Sequence, residues 1–148
     1  MAVMILGCFG WGCGKPSESP MHDATTSKYH PGEKYSFAGR PGDDQPQFLV
    51  LKVDAHQKLG NIVHISISGA RMKNPHTPKG YSDQVQHFPI EEAALEKSGT
   101  KLLQSGNAVP EFQSAYQLWR QPFDQGKAGV WSVSLAECLQ AMEQSMNR

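Results

Sequence analysis

The sequence predicts an α+β domain in which a small, mainly antiparallel sheet is packed on one face by two or three helices, in the order βββααβα. Three observations lead there. Residues 48–54 and 61–68 alternate apolar and polar side chains, as half-buried strands do. After Pro89 the apolar residues recur at the spacing of an amphipathic helix. Near the C-terminus, Ser134-Leu135-Ala136-Glu137 is a capping box, in which a serine and a glutamate three positions on satisfy backbone amides at a helix start.

In chain order, Lys34-Tyr35-Ser36-Phe37-Ala38 alternates and stops at Gly39-Arg40-Pro41-Gly42, which predicts a short edge strand closed by a turn. Phe48–Asp54 and Asn61–Ser68 are rich in β-branched and large apolar residues and flank the polar stretch Ala55–Gly60, so they read as a hairpin. A period of two puts Leu49, Leu51 and Val53 on one face with Val63, Ile65 and Ile67. Lys52, Asp54, His64, Ser66 and Ser68 fall on the other, solvent-facing side. Burying six aliphatic side chains is worth on the order of 10 kcal/mol before chain entropy is counted, which makes this hairpin the expected centre of the fold.

Gly69–Asp83 is rich in turn residues and reads as an excursion carrying a local basic cluster, Arg71, Lys73, His76 and Lys79. Pro89 suits a first helical position, Glu91 and Glu92 favour the positive end of a helix dipole, and Gly106 supplies a stop, so residues 89–105 are expected to be helical. Ile90, Ala94, Leu95 and Leu102 would form its packing stripe. Pro110 opens a second helix whose stripe is Phe112, Ala115, Tyr116, Trp119 and Phe123, and Pro122 and Gly126 end it. Gly129–Ser134 reads as a last strand. In the terminal helix Leu135, Cys138, Leu139, Met142 and Met146 share one face, so Cys138 reads as a small core residue.

The chain of 148 residues balances 14 Lys and Arg against 14 Asp and Glu. Zero net charge offers no general attraction to phosphate backbones, so nucleic acid is not an expected partner. No apolar run reaches the roughly 18 residues that would cross a bilayer. The charges are nevertheless unevenly placed, because residues 1–14 contain no Lys, Arg, Asp or Glu. Ala2–Trp11 has the length and apolarity of a signal-peptide core, and small glycines precede a cysteine in Ile5-Leu6-Gly7-Cys8 and again in Gly10-Trp11-Gly12-Cys13.

This leader resembles that of a bacterial lipoprotein, where a small residue precedes the cysteine that is acylated and becomes the new N-terminus. Cys13 is favoured because it leaves the longer apolar segment, although Gly10 and Trp11 depart from the usual pattern; Cys8 is the alternative. The resemblance implies a signal peptide over 1–12, a lipidated cysteine with a flexible tether over 13–33, and a single α+β domain over 34–148. It also implies a palmitate-type acyl anchor in the bacterial cell envelope, with the domain facing the periplasm. Gly14 and Lys15 lack the aspartate that favours inner-membrane retention, which tilts the expectation to the outer membrane. The Pro-, Ser- and Thr-rich composition of 14–33 agrees with a spacer that cannot offset the entropy of ordering.

For chemistry, the hairpin offers one arrangement. If Val53 pairs with Val63, Lys52 faces His64 and Asp54 lies diagonally from it, with the hydroxyls of Ser66 and Ser68 nearby. An Asp that orients a His is part of many general-base sites. No Gly-x-Ser-x-Gly elbow accompanies it, and there is no phosphate loop, dinucleotide fingerprint or HExxH helix, so no cofactor is expected. No metal site is expected either, because Asp54-x-His56 lacks a third ligand, Cys8 and Cys13 lack partners, and His22, His30, His76 and His87 are scattered. Tyr116, Trp119 and Trp131 have the spacing of core residues. The reading is a lipid-anchored, non-catalytic binding protein acting on a protein partner as an inhibitor, immunity-type protector or accessory subunit, with the Arg71–Lys79 loop as a contact surface. The alternative is a small envelope hydrolase using His64 and Asp54.

Overall fold

A computed structural model describes residues 21–148. The described residues form strands β1 (Met21–Asp23), β2 (Lys34–Ser36), β3 (Gln47–His56), β4 (Gly60–Lys73), β5 (Tyr81–Glu91) and β6 (Lys101–Gln104). Helices are α1 (Glu92–Glu96), α2 (Gln113–Asp124) and α3 (Leu135–Met146). The α+β class is as the sequence predicts. The order, βββββαβαα, is not.

The six strands form one antiparallel sheet in the order β5-β4-β3-β2-β6, with β1 added beside β3. The long β3 pairs with β4 along one edge, while β2 and β1 share its other edge at opposite ends, Lys34 against Leu49 and Met21 against His56. Between them Val50 N–H donates to Glu33 O and Gly32 N–H to Val50 O, so the strand's backbone groups stay paired where neither neighbour reaches. β2 therefore lies inside the sheet, and β6 takes the edge expected for it.

The central hairpin forms with the expected register, Val53 opposite Val63 and Lys52 opposite His64. A bulge between Val50 and Lys52 shifts the phase of the strand's first half. Phe48 and Val50, not Leu49 and Leu51, consequently join Val53, Val63, Ile65 and Ile67 in the apolar core.

On that face the core is closed by Ala94 and Leu95 of α1 and by Leu135, Cys138 and Leu139 of α3. Ser134 caps α3 by accepting the Glu137 N–H, and the predicted stripe packs inward. An aromatic group fills the β2 end: Tyr35 stacks on Phe48 with centroids 5.2 Å apart, and Tyr29 meets Tyr35 edge-on at 5.0 Å. Tyr29 is fully buried and Met21 nearly so, so residues 21–33 belong to the folded body and not to a tether. Their Ser and Thr content disguises two anchoring apolar residues. Cys8 and Cys13, with the rest of the leader, lie outside the described residues.

Three further expectations are corrected. The excursion over 69–83 is largely strand: β4 runs on to Lys73 past Gly69, which takes φ +77° where a Cβ would lie 2.6 Å from the carbonyl oxygens of Asp44 and Gln45. The helix over 89–105 is the end of β5, the short α1 and β6, because Gly99 at φ +65° reverses the chain. Pro89 sits in a strand, and Leu102 is half exposed on β6. The strand over 129–134 reduces to a single parallel bridge between Trp131 and Ile90, with Trp131 stacked on Phe88 at 5.3 Å. Helix α2 opens at Gln113 and not at Pro110, and carries Pro122 inside its last turn, but it stops at the expected Gly126: Gly126 N–H donates to Phe123 O and Lys127 N–H to Pro122 O, the Schellman arrangement around a left-handed glycine.

Helices are not confined to one face. α1 and α3 cover the apolar side, whereas α2 lies across the side expected to face solvent.

Candidate functional site

Alternation along β4 aims His64 away from Val63 and Ile65, onto the α2 side of the sheet. There His64 is fully buried and Asp54 nearly so. His64 Nε2 lies 2.9 Å from Asp54 Oδ2, and His64 Nδ1 lies 3.0 Å from His87 Nε2 on β5. The Tyr116 hydroxyl of α2 donates to the same Asp54 oxygen at 2.8 Å and accepts from Arg120 Nη1 at 2.9 Å. Lys52 Nζ sits 3.3 Å from Asp54 Oδ1 and is also paired with Asp23 of β1. Trp119 roofs both imidazoles, 5.0 Å from the His64 ring and 6.1 Å from that of His87, and fixes its indole N–H on Gly129 O at 2.9 Å.

These bonds assign the protons. A carboxylate only accepts, so His64 Nε2 carries a hydrogen toward Asp54. In neutral His64 the Nδ1 is then the acceptor, and His87 Nε2–H donates to it. Burial disfavours the imidazolium and pulls the His64 pKa below the ordinary range, outweighing the Asp54 carboxylate. Burial, with His64 beside it, lowers His87 to about 4. Burial pushes Asp54 up, but the hydrogen bonds from His64 and Tyr116 and the Lys52 charge outweigh it, and its carboxyl titrates below the usual range. The assembly is an ionised carboxylate serving one neutral imidazole, a phenol and an ammonium, with a second neutral imidazole bonded to the first.

The sequence-predicted pair is thus brought together, in the predicted register, but under a helix. Ser66 and Ser68 are not part of this cluster. They line a groove of about 350 Å³ further along the same face, with Gln84 and Gln86 of β5 and with Pro110, Glu111 and Phe112 from the segment before α2. His87, Tyr116 and Arg120 were missed as members of the cluster. Only the helical stripe that placed Tyr116 and Trp119 on one side of α2 hinted at them.

The basic residues are spread along the β4–β5 hairpin. The Arg71 guanidinium lies 4.4 Å over the Tyr81 ring and Lys79 Nζ 5.6 Å from it, with Lys79 also 3.6 Å from Asp83. The Lys73 backbone N–H donates to Glu143 at 2.6 Å, and His76 is exposed in the connecting turn. Carboxylates therefore answer part of this charge. Arg40 makes a further clamp nearby, donating to Asp43, to Gln140 and to Arg71 O, with Glu143 at 3.3 Å.

Cys138 is buried, donates weakly to Val133 O at 3.4 Å, and burial raises its thiol to about 12, so it is no nucleophile. Among the described residues no three His, Cys, Asp or Glu side chains are grouped to hold a metal ion, and no helix is long and apolar enough to cross a membrane. Comparison with protein-family models, with curated proteins and with solved structures finds no match to this chain.

Proposed function

We propose that this chain is a non-catalytic binding domain of the bacterial cell envelope, acting as an inhibitor, immunity-type protector or accessory subunit and held at the membrane through lipidated Cys13. One observation carries the non-catalytic part: His64 offers neither ring nitrogen to a substrate. One is bonded to Asp54, the other to His87, and the ring has no exposed surface. A general base must reach the proton it removes. Here the Asp–His pair faces Tyr116 and Trp119, so its work is to seat α2 on the sheet.

Of Asp54, His64 and His87 only His87 is partly exposed, and a pKa near 4 makes it a weak base at neutral pH. Among the described residues no serine, threonine or cysteine is hydrogen-bonded to either imidazole. The hydrolase reading therefore has the orienting half of a triad without an accessible base or a nucleophile.

The membrane part rests on the uncharged leader with its small-residue-then-cysteine pattern, and on the need for more than one acyl chain for stable anchoring, which a multiply acylated cysteine supplies. Intact mass and palmitate labelling of the native protein are expected to show an acylated N-terminus, lost in Cys13→Ala. Retention of Met1 with no acyl mass overturns the anchor. For the domain, purified protein is expected to turn over none of a panel of ester, peptide and phosphoester substrates. Turnover that vanishes in a folded His64→Ala variant would restore the hydrolase.

A further inference from the structure

Strand β4 is flanked on both sides, by β3 and by β5, with a bulge in the β5 pairing at Ser66, so along the groove on the α2 side a ligand meets chiefly side chains. The floor is made by Ser66 and Ser68 of β4 and by Gln84 and Gln86 of β5, with Ser68 directly opposite Gln84. Among the described residues none of these four side chains makes a hydrogen bond. Elsewhere on this face the polar side chains are satisfied: Asp54, His64, Tyr116 and Lys52 all have partners. Ser66 is half-buried and Ser68, Gln84 and Gln86 are exposed, so this strip of two hydroxyls and two carboxamides stands open to solvent beside a buried, fully paired cluster and can turn its hydrogen bonds to a ligand.

The composition of the strip selects a ligand chemistry. Each hydroxyl and each carboxamide combines a donor with an acceptor in one group. A complementary ligand carries donors and acceptors side by side at short intervals. An anion is acceptor-only and needs a cation, but no Lys or Arg lines the groove, and its charged lining residue is Glu111, whose Oε1 already accepts the Gln113 N–H at 2.6 Å. An apolar ligand would strand the four polar groups at a cost for each. An extended peptide gains its affinity mainly by adding backbone hydrogen bonds at a sheet edge; a ligand on this floor lies over the faces of β4 and β5 and not along the free edge of β5. The half-buried Phe112 adds an aromatic ring beside these polar groups, a surface for the C–H face of a sugar. The volume of about 350 Å³ lies at the lower end of the small-ligand range.

We infer that the groove between the β4–β5 floor and Pro110–Phe112 is a binding site for an uncharged saccharide, read by Ser66, Ser68, Gln84, Gln86 and Glu111 and stacked on Phe112. The inference rests on the binding reading given above and names its ligand class.

The test uses the full chain, in detergent, titrated with the N-acetylglucosamine tetramer, with cellotetraose and with a neutral pentapeptide, while the side-chain carboxamide signals of Gln84 and Gln86 are followed by nitrogen–proton NMR. A saturable shift of both signals with one of the saccharides is expected. Gln86→Ala and Phe112→Leu are each expected to weaken that binding by about tenfold, the equivalent of one lost hydrogen bond or ring contact. Gln86 is exposed and Phe112→Leu conserves an apolar side chain, so both variants keep the fold. No shift with either saccharide overturns the inference, as does saccharide binding that both variants leave unchanged. Shifts with the pentapeptide alone overturn the saccharide assignment and leave the binding reading standing. Cleavage of the bound tetramer would support the ligand class and overturn the non-catalytic reading.

Discussion

On one face of the sheet Val63, Ile65 and Ile67 meet Leu135, Cys138 and Leu139 of α3; on the other, Asp54 and His64 meet Tyr116 and Trp119 of α2. Asp54 and His64 are as buried as Val63 and Ile65, but the two contacts are held by different forces. The apolar side depends on contact area, which has no direction and degrades gradually as volume is removed. The polar side depends on a few directed bonds that share one carboxylate, so removing a single member strands the rest. Burial of polar groups under α2 demands full satisfaction, and the cluster reaches it: no buried side-chain nitrogen or oxygen among the described residues lacks a partner.

The largest expected effect comes from breaking the polar side at its hub. Asp54→Ala leaves His64, Tyr116 and Lys52 facing an empty position, and removing one partner of such a buried charged network costs about 3–5 kcal/mol. Urea unfolding is expected to show that loss, with α2 detaching first in hydrogen exchange. The matched change on the other face, Leu139→Ala, is expected to cost about 3 kcal/mol through lost transfer energy and cavity, and to leave α2 exchange in step with the global loss. A selective loosening of α2 by Leu139→Ala would show that the two faces are not separable.

Acid distinguishes the faces without mutation. His64 and His87 have folded pKa values below the ordinary 6.5, His87 near 4. Between those limits the unfolded chain binds protons that the folded chain excludes, so stability rises with pH across that window and is lost as pH falls through it. Asp54, depressed below its ordinary 3.8, adds a second loss at still lower pH, where its carboxyl protonates. The melting temperature is expected to fall from pH 6.5 toward pH 4 and to fall further below 3.8. His87→Gln can still donate to His64 Nδ1 but does not titrate, and is expected to flatten the first limb. An unchanged limb would show that His87 is not its source.

The two faces also differ in how legible they were. The apolar one follows from periodicity, since alternation in 61–68 and the stripe in α3 place Val63, Ile65, Ile67, Leu135 and Leu139 correctly. It failed locally at the bulge beside Leu51, because a two-residue period carries no mark of an inserted residue. The Asp54–His64 contact was readable because it lies within one hairpin with a short connection. The rest of the cluster was not: His87 sits on a strand whose polar run, Ser82-Asp83-Gln84, has little β-propensity and whose Pro89 reads as a helix start. Tyr116 reaches Asp54 across a separation of 62 residues, with Arg120 bonded behind its hydroxyl, and no local pattern encodes which face of a sheet a helix will choose. β1 was hidden for a similar reason, since three residues paired to the end of β3 need only Met21 buried to be held.

The smallest effect isolates the hydroxyl that joins α2 to the network. Tyr116→Phe keeps the ring between His64 and Trp119 and removes only the bonds to Asp54 at 2.8 Å and from Arg120 at 2.9 Å. Asp54 keeps His64 and Lys52, and Arg120 keeps Asp124 at 3.0 Å, so no charge is left without a partner. The cost is therefore expected near that of one hydrogen bond to a charged group, about 1.5–3 kcal/mol, with amide exchange in α2 speeded by at least roughly tenfold. Leu118, 78% exposed on the opposite side of the same helix, is the control: Leu118→Gln is expected to change stability by less than about 0.5 kcal/mol. If Tyr116→Phe were as silent as Leu118→Gln, α2 would be held by the Trp119 and Phe123 rings alone, and the directed bonds that set this face apart would contribute nothing to seating it.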